Sequence, residues 1–197
     1  MALPATDTFT AADGTALQTY NASWSINCGA FAINTNAVYP NSVGAECGAG
    51  WNADTFDNAQ YAQGVLAAEV SVCIGPAVRV ASDGTSDTYY GYYNGTYLFK
   101  QVTGSWAQLG SNGSNWSVGD VIRLEADGTT ITPKINGVTD SAIGARTDTA
   151  IASGRAGICG WSVNTGDRLD TWEGGNLSAA VAFQPRPPAA IDSMFVY

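Results

Sequence analysis

Residues 89–100, YYGYYNGTYLFK, set aromatic rings at short intervals around an Asn-Gly pair. A flat aromatic ring offers apolar area that stacks on the C–H face of a sugar, so the chemistry available here is non-covalent glycan recognition. Tyr89 and Tyr93 are the candidates within the stretch, and Trp51, Trp106 and Trp116 extend the set. Each has a second reading, as core or loop packing.

Covalent chemistry is harder to assemble. Glycoside hydrolysis takes two carboxyl groups about 5–5.5 Å or about 6.5–9.5 Å apart. The densest acidic cluster is GDRLDTWEGG, with Asp167, Asp170 and Glu173. In a regular strand an offset of three puts Asp170 and Glu173 on opposite faces. Asp167 and Glu173 would share a face but stand about 20 Å apart at 3.3 Å per residue. The expectation is no catalytic residue and no enzyme. The chain holds no histidine, which removes the Ser-His-Asp and Cys-His arrangements. It has neither a Gly-x-Ser-x-Gly elbow nor a Walker loop.

Cys28, Cys47, Cys73 and Cys159 lack C-x-x-C spacing, so a zinc cluster is not expected. Two disulfides are open, with three connectivities, and Cys28–Cys47 is the expected local staple. Cys73 and Cys159 lie in apolar strands, where a thiol packs as a small hydrophobe. No cofactor is expected. The loops SDGTSD (82–87) and NTGDRLD (164–170) carry oxygens suited to calcium, but without EF-hand spacing.

These side chains must be positioned by strands. In VIRLEADGTTITPKING, residues 121–137, a two-residue loop at Asp127-Gly128 places Leu124 opposite Ile131. Ile122, Leu124 and Ile131 then form a dry face. Arg123, Glu125, Thr130, Thr132 and Lys134 form a wet one. Asn136-Gly137 follows as a second turn, giving a meander. The same logic at Asn94-Gly95 puts Tyr92 opposite Tyr97 and Tyr90 opposite Phe99. Tyr90, Tyr92, Tyr97 and Phe99 are then the core set, and Tyr89, Gly91, Tyr93, Leu98 and Lys100 face solvent. Residues 57–70 read as a turn followed by a strand, and further strands fall near 31, 38, 78, 107 and 170. Short strands punctuated by turns predict an all-β fold, a two-sheet antiparallel sandwich or jelly roll.

Composition agrees. The chain has 197 residues, 45% of them hydrophobic and 13% charged, enough for one domain with its own core. A net charge of −9 with 8 basic residues opposes nucleic acid and anionic membranes, both of which draw on Lys and Arg. No apolar run reaches spanning length. The first residues lack the basic start and apolar core of a signal peptide. Five Asn-x-Ser/Thr sequons, at Asn21, Asn94, Asn112, Asn115 and Asn176, read as chance in an Asn/Ser/Thr-rich chain. Residues 1–182 form the expected sandwich. Residues 183–197 form a Pro-rich extended tail with three of the seven prolines. Pro185, Pro187, Pro188, Met194, Phe195 and Tyr197 are its expected contacts with a neighbouring protein.

The motifs DTFTAADGTAL (7–17), AQYAQ (59–63), GPAVRV (75–80), YLFK (97–100), GDVIRLEADGTTITPKING (119–137), GRAGICGW (154–161) and DTWEGGNL (170–177) occur in a suggestive order. Over residues 7–178 the chain resembles concanavalin A-like lectin/glucanase domains, especially those among tailed-phage virion proteins. The resemblance implies a jelly roll of two curved antiparallel sheets, with the first and last strands, DTFT and LDTWEGG, paired. The Glu-x-Asp-x-x-Glu strand of the glucanase branch is missing. The implied function is a non-enzymatic virion structural protein, a capsid decoration, head-fibre or tail-associated component made in the host cytoplasm. Its implied partners are other virion proteins, further copies of itself and host-surface glycans. A carbohydrate-binding module without a structural role is the alternative, and a glycoside hydrolase the remote one.

Overall fold

Side chains that alternate between two faces organise the chain into strands, some of them buried on both faces, as seen in a computed structural model that describes residues 3–42, 44–70, 73–81, 88–93, 97–161 and 166–177. In chain order the elements are β1 (Ala5–Asp7), α1 (Leu17–Tyr20), β2 (Trp24–Cys28), β3 (Phe31–Asn34), β4 (Ala37–Pro40), β5 (Glu46–Trp51), β6 (Gln60–Ala68), β7 (Ile74–Val80) and β8 (Tyr89–Tyr93). They continue as β9 (Tyr97–Val102), β10 (Ser105–Gln108), β11 (Val121–Asp127), β12 (Thr130–Ile135), β13 (Val138–Thr139), β14 (Arg146–Thr147), β15 (Arg155–Trp161) and β16 (Arg168–Asn176). The single helical turn α1 carries no periodic apolar signal, and the sequence did not announce it.

The first sheet runs β13-β12-β11-β6-β16-β4-β3, with β1 beside β16 and β14 beside β12. The second runs β10-β9-β8-β7-β15-β5-β2. β1 pairs antiparallel with β16, Ala5 opposite Gly174 and Asp7 opposite Trp172, so the first and last strands meet as implied. The inner faces bury Leu66, Ile122, Leu124 and Ile131 against Val78, Tyr90, Tyr92, Leu98 and Ile158. At one end Trp24, Trp51 and Trp172 pack within 4.7–5.4 Å of one another.

Two hairpins depart from expectation, with different consequences. In the β11–β12 hairpin Asp127 pairs with Thr130, so the loop is Gly128-Thr129 and Leu124 faces Pro133. Gly128 takes the positive φ of 55° at the first loop position, the placement of a type II′ rather than a type I′ turn. The pairing slips by two, an even number, so the faces are kept: Leu124 and Ile131 are fully buried. Asn136 and Gly137 both hold positive φ, as a type I′ turn requires.

In the β8–β9 hairpin Tyr93 pairs with Tyr97 and Tyr92 with Leu98. The slip is by one, and an odd slip turns a whole strand over. Leu98 joins the core, while Tyr97 and Phe99 share the opposite face with Tyr89 and Tyr93. The expected Asn94-Gly95 turn lies outside the described residues, as do the loop 82–87 and the tail 183–197.

No disulfide joins Cys28 to Cys47, which corrects the expected staple. Cys28 lies opposite Gly48 and so shares the face of Gly48, whereas Cys47 points into the main core. Neighbouring positions on a strand cannot aim at one partner.

Arg79 closes one end of the sandwich. A bulge at this point sets Val80 opposite Arg155 but Ala77 opposite Gly157, and Arg79 takes φ +54°. Arg79 is 2% exposed. Nη1 donates to Ile151 O (2.7 Å), and Nη2 to Asn58 O (3.0 Å) and Gly128 O (2.7 Å). Its backbone N–H donates to Gln60 Oε1, and Gln60 Nε2 donates to the Asp57 and Gly154 carbonyls. Gly154 is required here, because a Cβ would stand 2.4 Å from the Arg79 carbonyl carbon. Burial lowers the Arg79 pKa, because desolvation disfavours the charged form.

A buried carboxylate, Asp140, and a half-buried one, Asp148, brace the other contacts. Asp140 accepts from Tyr92 Oη, Ser114 N, Ser114 Oγ and Ala142 N. Asp148 accepts from Tyr90 Oη, Lys100 Nζ and Ala150 N. Burial pushes both pKa values up, but these donors outweigh it and leave both below the ordinary 3.8.

Replacing Arg79 by Met strips the donor from three carbonyls, and the expected loss is on the order of 3 kcal/mol. A urea midpoint that falls with an unchanged slope would confirm it; a midpoint like that of the wild type would refute the clamp. Because the folded-state pKa values of Asp140 and Asp148 are depressed, their stabilisation is present above the unfolded-state value and is lost as pH falls below about 4. The Asp140→Asn variant should show a shallower fall of urea midpoint between about pH 5 and pH 2.

Candidate functional site

The outer face of the second sheet carries three of the five aromatic residues singled out from sequence, Tyr89, Tyr93 and Trp106. Trp106 lies opposite Gln101, and Gln101 opposite Tyr89, so all three share that face with Tyr93, Tyr97 and Phe99. The sheet curls toward it. Tyr89 Oη reaches Cys47 O at 3.4 Å, although β8 and β5 are three strands apart, about 14 Å in a flat sheet. The curl is filled from within. A Cβ at Gly91 would stand 2.4 Å from the Phe99 ring, and one at Gly48 would stand 2.8 Å from the Tyr89 ring. Ala77, Val80, Tyr89, Tyr93, Phe99 and Cys159 thus form a second core. Burial drives the Tyr89 and Cys159 pKa values well up.

This packing decides which candidates can stack on a ligand. Tyr89 is fully buried and Tyr93 is 7% exposed; the expectation that they face solvent fails because the curl closes over them. Trp51 belongs to the tryptophan cluster of the main core, its Nε1 donating to Asp54 Oδ2 at 2.8 Å. Trp116 packs edge-on against Tyr92, with ring centroids 4.8 Å apart, and donates to Tyr92 Oη. An enclosed ring has no face to offer. Trp106 does: it is 43% exposed, stacked on Phe99 at 6.0 Å and 23° and edge-on to Tyr97 at 5.9 Å.

From Trp106 an aromatic band crosses the curl. Phe99 lies 4.7 Å from Tyr93, and Tyr93 Oη donates to Glu46 Oε1 at 3.2 Å. Glu46 lies opposite Trp161, a second indole that is 36% exposed. Burial first, and then the Glu46 carboxylate, raise the Tyr93 pKa. Trp161 was not among the sequence candidates. Its signal was its position two residues after Cys159, on the same face of β15.

The outer face of the first sheet is polar. Thr6, Glu173, Gln63, Arg123, Lys134 and Thr139 lie directly opposite one another in succession across six strands. The Arg123 guanidinium sits 3.6 Å above the Tyr61 ring. Its Nη1 donates to Gln63 Oε1 (3.0 Å) and its Nε to Glu125 Oε1 (2.7 Å). Tyr61 Oη donates to Glu173 Oε1 at 2.5 Å. Burial first, and then this carboxylate, raise the Tyr61 pKa to about 12. Sequence alternation placed Arg123 and Glu125 on a wet face but gave no hint of Tyr61 beneath them.

A bulge in β16 overturns the expected geometry of the acidic cluster. Asp170 lies opposite Val65 and Glu173 opposite Gln63, with Thr171 between them at φ +49°. The extra residue brings Asp170 and Glu173 onto one face. Each is held as an acceptor, Asp170 Oδ1 from Thr171 N (2.6 Å) and Glu173 from Tyr61 and Gln63. Asp167 is buried and accepts from Val70 N at 2.7 Å. Among the described residues no group of three or more His, Cys, Asp or Glu side chains is arranged to hold a metal ion. The calcium candidates 82–87 and 164–165 lie outside those residues.

No protein-family model matches the chain, and no curated protein matches it. Solved structures do. Carbohydrate binding module CBM66 from Bacillus subtilis superposes with a TM-score of 0.55 at 12% identity, covering 78% of this chain and 92% of that one. A Bacillus subtilis protein of unknown function with a galectin-like fold gives 0.50 at 11% identity, covering 84% and 97%. Apo Crh5 transglycosylase gives 0.50 at 13% identity, covering 89% and 85%. At these identities the likeness is one of architecture: the chain is a two-sheet antiparallel jelly-roll sandwich.

Proposed function

We propose that this chain is a non-enzymatic glycan-binding domain whose sugar contacts are the indoles Trp106 and Trp161 at the rim of the curl. The observation that carries this reading is the exposure of both indoles on one outer face, with Glu46 opposite Trp161 in the sheet. Trp106 is already fixed by Phe99 and Tyr97, so little side-chain entropy is lost when a ligand stacks on it. A carboxylate is acceptor-only and suits hydroxyl donors. The carbohydrate-binding module among the structural neighbours supports the same class of ligand. The binding mode needs no cofactor.

A hydrolytic or transglycosylating role draws support from Crh5 and from the shared face of Asp170 and Glu173. Against it, each carboxylate already takes hydrogen bonds from the sheet, Asp170 from Thr171 N and Glu173 from Tyr61 and Gln63. Turnover of β-glucans that disappears in Glu173→Gln would overturn the non-enzymatic reading.

The domain is further proposed to be a virion component, a capsid decoration, head-fibre or tail-associated protein that meets copies of itself and other virion proteins. This rests on the resemblance of residues 7–178 to such domains and on the apolar, Pro-rich residues 183–197.

Two experiments test these readings. On a glycan array, Trp106→Ala and Trp161→Ala should each weaken wild-type binding about ten-fold, with an unchanged far-UV circular dichroism spectrum. Binding untouched in the double variant, or no binding by the wild type, would contradict the glycan reading. Deleting residues 183–197 should abolish oligomer formation while the sandwich melts as before; an intact oligomer would remove the tail from assembly.

A further inference from the structure

We propose that the depression beside Tyr61 on the outer face of the first sheet is a second site, for a single neutral pyranose, independent of the aromatic band. Its volume is about 360 Å³, at the small end of the range of ligand pockets. One wall is apolar, from Leu3, Pro4 and Leu177; the other is polar, from Arg123 and Asn176, above a floor of Tyr61 and Gly175. A pyranose has the same two-sidedness, with a C–H face and a hydroxyl edge.

The polar wall is rigid before any ligand arrives. Arg123 is held by the Tyr61 ring, Gln63 and Glu125. Among the described residues no hydrogen bond uses its Nη2, which leaves a charged donor oriented but unengaged. Asn176 is fixed by two bonds to Asp57, Asp57 N to Oδ1 and Nδ2 to Asp57 Oδ2, both 2.8 Å. The floor depends on Gly175, where a Cβ would stand 2.9 Å from the Tyr61 ring.

Charge selects a neutral ligand over an acidic one. Arg123 and Lys134 share Glu125 at 2.7 and 2.8 Å, and Glu173 lies one row away, bonded to Tyr61, so two cations and two carboxylates cancel. A ligand carboxylate finds no uncompensated cation there and meets a chain of net charge −9, whereas hydroxyls accept from Arg123 without a charge penalty.

Saturation-transfer NMR on the full chain tests this, with methyl α-mannopyranoside, methyl β-galactopyranoside and glucuronate as probes. Transfer to at least one neutral hexoside is expected. Its Kd should weaken about ten-fold in Arg123→Met, the cost of one hydrogen bond to a charged group. Arg123→Lys, which keeps the charge but loses the planar fork, should weaken it as well and carries the test if the Met variant fails to fold. The double variant Trp106→Ala/Trp161→Ala should retain the transfer, which separates this site from the aromatic band. Transfer unaffected by both Arg123 variants, transfer lost in the double Trp variant, transfer to glucuronate alone, or no transfer at all would each overturn the proposal.

Discussion

The pairing of Tyr93 with Tyr97 determines what the second sheet can present to its surroundings. It sends Tyr89, Tyr93, Tyr97 and Phe99 to one face and Tyr90, Tyr92 and Leu98 to the other. The first group is too large to lie on a flat sheet without exposing several rings. Curling the sheet around them solves this, and glycines at 48 and 91 leave the room. The molecule thereby acquires two cores, one between the sheets and one within the curl. Trp106 and Trp161 sit at the rim because the interior of the curl is already full.

The curl also separates the two outer faces chemically. One is aromatic, closed and fringed by indoles. The other is an ordered polar row in which every neighbour is a cross-strand partner. Holding both in one body requires the sheets to be locked at their ends. Arg79 and Gln60 do this at one end, through carbonyls from three loops. At the tryptophan end, the buried Asp7 carboxylate accepts from Phe9 N, Tyr20 Oη, Asn21 Nδ2 and Trp24 Nε1. Both devices place charge in a dry setting, where hydrogen bonds offset the cost of burial: four donors meet the Asp7 carboxylate, and three carbonyls meet the Arg79 guanidinium, whose Nε is left without a partner among the described residues.

Much of this architecture was legible in the sequence. Alternation in residues 121–137 placed Leu124 and Ile131 inside and Arg123 and Glu125 outside, and it survived an error of two in register because side chains repeat every two residues. The order of the motifs pointed to the pairing of β1 with β16. What could not be read were the odd steps. One extra residue in the β8–β9 connection, one at Thr171 and one at Arg79 each reverse the sense of the pattern downstream, and nothing in local composition marks them. Trp161 and Tyr61 escaped notice for a related reason. Their importance comes from partners contributed by distant strands, Glu46 for one and Arg123 and Glu173 for the other. The same limit explains Cys28 and Cys47, close in sequence yet aimed at opposite faces.

The register of the tyrosine hairpin is open to direct measurement by nuclear Overhauser contacts in solution. The Phe99 ring should show contacts to the rings of Tyr93 and Trp106, and the backbone of Tyr93 should face that of Tyr97. Contacts from Phe99 to Tyr90 or Tyr92, with Tyr92 facing Tyr97, would return Phe99 to the main core and dissolve the aromatic band.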